Sequence, residues 1–217
     1  MIQGCLFDMD GILLDTENLG MRLFSEISQN YGYDFPGTLY LKILGTNHHR
    51  SRKVLVRELG ADFPADTVMK EMFDALLECA RKGTMPIKPG VEACFQGLRE
   101  RGIRMALATS TDKAVVKQYL ELIPELRGVF DAVVCGSEVG ESKPAPDIYL
   151  LAAERLGLTP MDCIGVEDSR NGLKSLTAAG IPSVMIPDLL PFDESLKPFT
   201  TWKLNSLTEL CPLIDTL

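Results

Sequence analysis

The hydrophobic and polar positions along the chain follow two alternating patterns. Short, nearly continuous apolar runs predict buried strands, and amphipathic spacing predicts helices between most of them. The predicted strands cover residues 2–7, 103–109, 132–136, 162–166 and 181–187. The predicted helices cover residues 91–101, 112–123, 146–157 and 169–180. Such strands are typical of a parallel sheet covered on both faces, so we predict an α/β doubly wound, Rossmann-like core.

Residues 16–86 break this alternation. Three segments there have helical spacing, and no convincing strand separates them. Because this block lies between the first and second strands, it predicts an all-helical cap domain inserted into the sheet domain. We therefore predict a core domain of residues 1–15 and 87–217 and a cap domain of residues 16–86. The final stretch, TWKLNSLTELCPLI, predicts a short edge strand and a closing helix.

Composition and charge narrow the class of protein. Hydrophobic residues make up 46% of the 217 positions and charged residues 24%, as in ordinary soluble globular proteins. The formal net charge of -8 argues against nucleic acid as a partner, since that affinity depends on clustered Lys and Arg. No run approaches the ~20 apolar residues that span a bilayer, and no leader-like pattern precedes the first acidic residues. The six cysteines are scattered, which indicates reduced thiols. We expect a cytoplasmic protein that does not bind membranes, and a monomer.

Acidic, hydroxyl and lysine side chains follow four of the predicted strands. Ligands bind beyond the carboxyl ends of strands in an open α/β sheet, so these side chains should converge at one edge. They are Asp8, Asp10, Thr109, Ser110, Thr111, the segment from Glu138 to Lys143, Glu167 and Asp168. Each alone has a simpler structural explanation. The acidic and hydroxyl groups could cap the helices that follow, and the lysine could be a solvated loop charge. Four such coincidences at one edge would be far rarer than any one of them.

One chemistry explains this cluster. Hard cations such as Mg²⁺ bind carboxylate and carbonyl oxygens, and Asp8 and Asp168 could hold one from two sides. A carboxylate can also attack phosphorus to form an aspartyl-phosphate. Thr109 and Lys143 could then neutralise the phosphoryl oxygens. Asp10, two residues after Asp8, lies on the same side of an extended strand and could protonate the leaving oxygen and then deprotonate the attacking water.

The sequence also resembles a known family. DMDGILLD, ALATST, SKPAPD and GVEDS, in this order, resemble the four motifs of the haloacid dehalogenase superfamily. With the helical insertion after the first motif, the chain resembles the branch of β-phosphoglucomutase-like phosphatases and phosphomutases. The resemblance implies that Asp8 is the nucleophile, Asp10 the acid/base, and Thr109 and Lys143 the phosphate-binding groups. The Mg²⁺ ligands it implies are Asp8, Asp10 through its carbonyl, Asp168, and Glu167 directly or through water.

We predict a Mg²⁺-dependent phosphomonoesterase that acts on a small phosphorylated metabolite, such as a sugar phosphate. The alternative is a phosphosugar mutase, in which a sugar hydroxyl accepts the phosphoryl group. β-Phosphoglucomutases carry a histidine where this chain has Gly20, and an arginine roughly where LGTNHHRS offers His48 or His49. Both departures favour the phosphatase. The candidate substrate-binding residues are Thr16, His48, Ser110 and Thr111, although neighbouring histidines at a helix start are more often solvated.

Three other classes of protein fit the residues less well. A hydrolytic dehalogenase needs neither a proton-donating Asp10 nor a metal-binding Glu-Asp pair. A signalling receiver module also phosphorylates an aspartate beside Mg²⁺, but its acidic partners lie upstream and it needs no helical insertion. A catalytically inactive binding protein would keep the fold, yet every motif residue is present here.

Overall fold

The structure, a computed structural model, describes residues 1–44 and 48–217. The chain divides into two compact units. Residues Met1–Asp15 and Ile87–Leu217 form the first, which we call the α/β unit, and residues Thr16–Pro86 form the second, which we call the helical unit. Within the described residues, no helix is long and apolar enough to cross a membrane.

A six-stranded parallel sheet forms the centre of the α/β unit. Its strands are β1 (Gly4–Phe7), β2 (Arg104–Thr109), β3 (Ala132–Cys135), β4 (Cys163–Glu167), β5 (Ser183–Met185) and β6 (Trp202–Lys203). They lie in the order β3-β2-β1-β4-β5-β6. Phe7 of β1 is in register with Leu107 of β2 on one side and Val166 of β4 on the other. The strand order therefore reverses between β1 and β4, which is where an open α/β sheet binds ligands.

The helical unit is held together by apolar faces at helical spacing. Its helices are α1 (Thr16–Asn30), α2 (Gly37–Ile43), α3 (His48–Leu59) and α4 (Ala65–Arg81). Leu19 and Phe24 of α1 are buried, as are Val68, Met72 and Leu76 of α4, and the two helices pack against each other. The described part of this unit contains no strand, in agreement with the prediction of an all-helical segment.

Helices cover both faces of the sheet. They are α5 (Val91–Glu100), α6 (Lys113–Leu122), α7 (Asp147–Arg155), α8 (Arg170–Ala178) and, near the end of the chain, α9 (Leu210–Ile214). On one face, Leu6 and Val134 pack in a buried cluster with Tyr149 of α7 and Leu176 of α8. On the other face, the ring of Phe7 meets the ring of Phe95 of α5 edge-on, with 5.6 Å between centroids. The predicted fold class and all five predicted strands are confirmed, and so are the short edge strand and the closing helix.

Candidate active site

The α/β unit brings several of the predicted groups together at the carboxyl ends of its central strands. Asp8 directly follows β1, and its backbone N–H donates to the carbonyl of Val166 at 3.0 Å. Lys143, in the loop before α7, donates from Nζ to Asp8 Oδ1 at 2.7 Å and to Glu167 Oε1 at 2.7 Å. It also donates to the carbonyl of Ala108 at 3.0 Å. All four motifs therefore meet at one ammonium group, the second of them through the carbonyl of Ala108.

Burial and neighbouring charges determine the protonation states of Lys143 and Asp8. The Lys143 side chain is only 6% exposed. Burial alone would lower the pKa of Lys143, but the carboxylates of Asp8 and Glu167 outweigh it and hold this pKa well above its usual range. Burial raises the pKa of Asp8 to about 7, with Glu167 and Asp10 adding to the rise and Lys143 opposing it. Lys143 therefore does not fully offset burial and the two neighbouring carboxylates, and a further cation would favour an ionised Asp8.

Glu167 is held on all sides by donors. It is fully buried at the end of β4. Its Oε1 accepts from Lys143 and, at 2.6 Å, from the hydroxyl of Tyr149. Its Oε2 accepts from the backbone N–H of Ser169 at 3.1 Å and from the Ser169 hydroxyl at 2.9 Å. Burial raises the pKa of Glu167, but Lys143, Tyr149 and Ser169 outweigh it and leave the pKa below its usual range. This carboxylate is therefore fixed in place and ionised.

Asp10 is paired with the hydroxyl loop that follows β2. The Thr111 hydroxyl donates to Asp10 Oδ2 at 2.7 Å. The backbone N–H of Thr111 donates to the hydroxyl of Thr109 at 3.1 Å, and Thr109 is fully buried. The second motif thus contacts the first through Thr111.

The helices α6 and α8, which follow two of these strands, are capped by residues outside the predicted site. The Asp112 carboxylate accepts from the N–H of Ala114 at 2.8 Å and caps α6. The Ser169 hydroxyl accepts from the N–H of Gly172 at 3.0 Å and caps α8. Asp112 and Ser169 therefore take the capping role that the sequence left open to the hydroxyls and the Glu-Asp pair next to them.

Three buried carboxylates are close enough to share a cation. Asp8, Glu167 and Asp168 each offer an oxygen, and these oxygens all lie within 4.8 Å of one another. Gly11 brings the backbone after Asp10 against this cluster: its φ is +80°, and a Cβ at this position would lie 2.4 Å from Asp168 Oδ2. A set of hard oxygen ligands of this kind fits Mg²⁺.

Other predicted residues have different surroundings. Ser110 is exposed in the loop after β2. Thr16 is buried at the start of α1, and His48 begins α3; both belong to the helical unit. The His48 side chain is exposed, with Nε2 3.4 Å from Asp66 Oδ1, and Arg52 binds the other oxygen of that carboxylate at 2.9 Å. Of the segment LGTNHHRS, residues 45–47 lie outside the described residues.

Sequence reasoning missed Tyr149 and Gly172. Tyr149 is fully buried, and its hydroxyl lies between Glu167 Oε1 and, at 3.0 Å, Lys143 Nζ. A Cβ at position 172 would lie 1.7 Å from Glu167 Oε1, so the carboxylate occupies the space that this glycine leaves. A glycine within a helical pattern costs up to about 1 kcal/mol relative to alanine, so Gly172 in the predicted helix 169–180 was a usable signal. Tyr149 had no such signal, because it falls on an apolar helix face.

Comparison with known proteins identifies the class. Residues 2–180 match the family of haloacid dehalogenase-like hydrolases, and the chain belongs to this family. Protein CbbY of Cupriavidus necator is 32% identical over 211 residues, which cover 90% of this chain and 82% of the relative. A phosphorylated carbohydrates phosphatase of Thermotoga maritima is 30% identical over 185 residues, 84% of each chain.

A solved structure extends the similarity to three dimensions. CbbY from Rhodobacter sphaeroides in complex with phosphate superposes with a TM-score of 0.78 at 28% identity, over 97% of this chain and 96% of that one. The predicted family, fold class and enzyme class are confirmed.

Proposed function

We propose that this hydrolase is a Mg²⁺-dependent phosphomonoesterase that cleaves a small phosphorylated metabolite, such as a sugar phosphate, through a phosphorylated Asp8. The observation that carries the proposal is the buried contact between Asp8 and Lys143, with Asp10 two residues away. The names of the relatives support the substrate class, since one is a phosphatase of phosphorylated carbohydrates and another binds phosphate.

The proposed first step transfers the phosphoryl group to the protein. An oxygen of the Asp8 carboxylate attacks phosphorus, and the bond between phosphorus and the substrate oxygen breaks. Asp10 gives its proton to that leaving oxygen, and the alcohol departs. Lys143 and the Thr109 hydroxyl stabilise the negative charge on the phosphoryl oxygens.

The proposed second step frees the enzyme. Asp10, now a carboxylate, takes a proton from a water molecule while that water attacks phosphorus, and the bond to Asp8 breaks. Inorganic phosphate leaves, and Asp10 is protonated for the next cycle. The residues that would hold Mg²⁺ are Asp8, Asp168, Glu167 and the Asp10 carbonyl. When bound, the ion would supply positive charge against the phosphoryl oxygens and keep Asp8 ionised.

The space around Gly20 favours this activity over the phosphosugar mutase. A Cβ at position 20 would lie 2.5 Å from the hydroxyl of Tyr40, which itself donates to Glu17 at 3.2 Å. A histidine side chain, as in β-phosphoglucomutases, does not fit there unless Tyr40 moves. Product analysis separates the two activities, because a phosphatase releases free phosphate in step with substrate loss and a mutase releases little.

The test is the substitution Asp8→Asn, assayed for phosphate release on a panel of sugar phosphates, nucleotides and phosphoglycolate. We expect turnover to fall at least ~10³-fold, because an amide is a poor nucleophile, and wild-type turnover to be abolished by a chelator. Asp74→Asn is the matched control, since Asp74 is exposed and pairs with Lys70 on the same helix. Appreciable remaining turnover in Asp8→Asn would remove Asp8 as the nucleophile.

A further inference from the structure

Thr111 carries a contact that neither helix capping nor loop structure requires. Asp112 already caps α6 through the N–H of Ala114. The loop is fixed without the Thr111 side chain, because the backbone N–H of Thr111 donates to the buried Thr109 hydroxyl. On its other side, Gly136 packs so closely that a Cβ there would lie 2.7 Å from the carbonyl oxygen of Ser110.

The Thr111 hydroxyl is directed at one oxygen of Asp10. The 2.7 Å distance to Oδ2 is that of a good O–H···O hydrogen bond. A carboxyl group turns easily about its last side-chain bond, because that torsion has only broad minima. A partner on Oδ2 removes this freedom, so the other oxygen keeps a single direction.

We infer that Thr111 is a positioning residue that aims the acid/base carboxyl of Asp10, and that it does not bind substrate as its place in the motif suggested. This inference rests on the proposed function. A hydroxyl can donate to the carboxylate and accept from the protonated acid, so the contact persists in both steps of the reaction. Alcohols of high pKa are poor leaving groups and need the proton of Asp10, whereas p-nitrophenolate leaves without it.

The dependence of kcat/KM on the leaving group tests this role. The substrates are aryl phosphates from p-nitrophenyl to p-methoxyphenyl phosphate, together with the sugar phosphate that the wild type hydrolyses best. kcat/KM reports the steps up to loss of the first product, in which Asp10 is the acid. For Thr111→Val we expect kcat/KM on the sugar phosphate to fall about tenfold, which is part of the roughly 10²–10⁴-fold that general acid catalysis contributes in all. On p-nitrophenyl phosphate we expect kcat/KM to fall less than about twofold, because this leaving group does not need the proton of Asp10.

Three further variants make the result specific. Thr111→Ser keeps the hydroxyl and should restore kcat/KM on the sugar phosphate to within about twofold of wild type. In an Asp10→Asn background, Thr111→Val should have almost no further effect, since the group it positions is gone. Thr216→Val removes a remote hydroxyl that donates to the carbonyl of Leu213 and should change nothing.

Other outcomes would overturn the inference. An equal loss on every substrate would mean that Thr111 contacts the phosphoryl group or supports the loop, and no loss at all would mean that it has no role. Additive losses in the Asp10→Asn background would also contradict it. If the wild type hydrolyses none of these substrates with Mg²⁺, the proposed function fails and the inference fails with it. If the wild type is active and only the variants depart from these expectations, the inference alone fails.

Discussion

A single glycine decides where the Glu167 carboxylate lies. Gly172 belongs to α8, and in a helix alanine is normally about 1 kcal/mol more favourable than glycine. Here, however, the added Cβ would lie 1.7 Å from Glu167 Oε1. The carboxylate would have to leave Lys143 and Tyr149, and each lost hydrogen bond to a charged group costs about 1.5–3 kcal/mol. The clash outweighs the gain in helix propensity.

We therefore predict that Gly172→Ala lowers the free energy of unfolding by about 2 kcal/mol and lowers turnover as well, because Lys143 loses a partner. Urea unfolding and phosphate release measure the two effects. Gly140→Ala is the control, since the nearest atom to a Cβ there is Asp147 Oδ1 at 4.0 Å. Unchanged stability in Gly172→Ala would show that the helix can shift to admit a methyl group.

At this scale the sequence predicts residue types better than their partners. Asp8, Lys143 and Glu167 were predictable because each lies at the carboxyl end of a strand or in the loop beyond it, and parallel strands end at one edge. The hydrogen-bond partners of Tyr149 and Thr111 were not predictable, because they depend on which atom lies within 3 Å of a hydroxyl. Helical spacing puts Tyr149 on the buried side of α7, but only the packing of α7 against β1, β2 and β3 brings its hydroxyl to Glu167.

Among the secondary-structure elements, Glu138 links three. It follows β3, and its Oε2 accepts from the N–H of Cys135 at 3.0 Å. Its Oε1 accepts from Lys113 of α6 and from Arg155 of α7, each at 3.1 Å. The strand-end pattern placed this residue among the site candidates, but its contacts are with structural cations. Glu138 therefore joins a strand to two helices.

The pH dependence of stability should reveal this link. Burial raises the pKa of Glu138, but the donors Arg155, Cys135 and Lys113 outweigh it and lower the pKa to about 2. Because the pKa of Glu138 is lower in the folded state than in the unfolded state, its ionised carboxylate stabilises the fold. This contribution is complete above the unfolded-state pKa of about 4.5 and is lost as the pH falls through about 2.

We predict that Glu138→Gln lowers the free energy of unfolding by about 2 kcal/mol at pH 7 and by clearly less at pH 3. The value at pH 7 allows for solvent screening, since the side chain is 16% exposed. Urea unfolding at both pH values measures this difference. Glu154→Gln, at an exposed position of α7, should have little effect at either pH. A loss for Glu138→Gln that is equal at pH 7 and pH 3 would show that shape, and not charge, matters at this position.

Elements were predictable to within a few residues where the pattern was strong. The helix predicted over residues 112–123 is α6, Lys113–Leu122, and it starts after its aspartate cap. The strand predicted over residues 181–187 shortens to Ser183–Met185, with a proline on either side. Proline has no N–H to donate to a neighbouring strand, so it limits the pairing there.

At the scale of the whole molecule, the fold concentrates negative charge in one place. The net charge is -8, yet Asp8, Glu167 and Asp168 are all buried within 4.8 Å of one another. Their positions follow from the switch in strand order between β1 and β4, which brings residues 8 and 168 together across most of the chain. Lys143 offsets only part of this charge, so a bound cation should stabilise the folded state, and metal binding and stability should be coupled.

This coupling gives a prediction that does not depend on catalysis. A ligand that binds only the folded state stabilises it by about 2.7 kcal/mol at a hundred times its Kd. For a chain of this size that corresponds to a rise in Tm of roughly 5–10 °C. We expect Mg²⁺ to raise the Tm of the wild type by this amount over that in a chelator, and Asp168→Asn to abolish most of the rise, because one ligand loses its charge. Asp74→Asn should keep the full rise, since that carboxylate is exposed on α4. Scanning calorimetry with and without Mg²⁺ measures all three proteins, and an equal rise in both variants would mean that Mg²⁺ binds elsewhere.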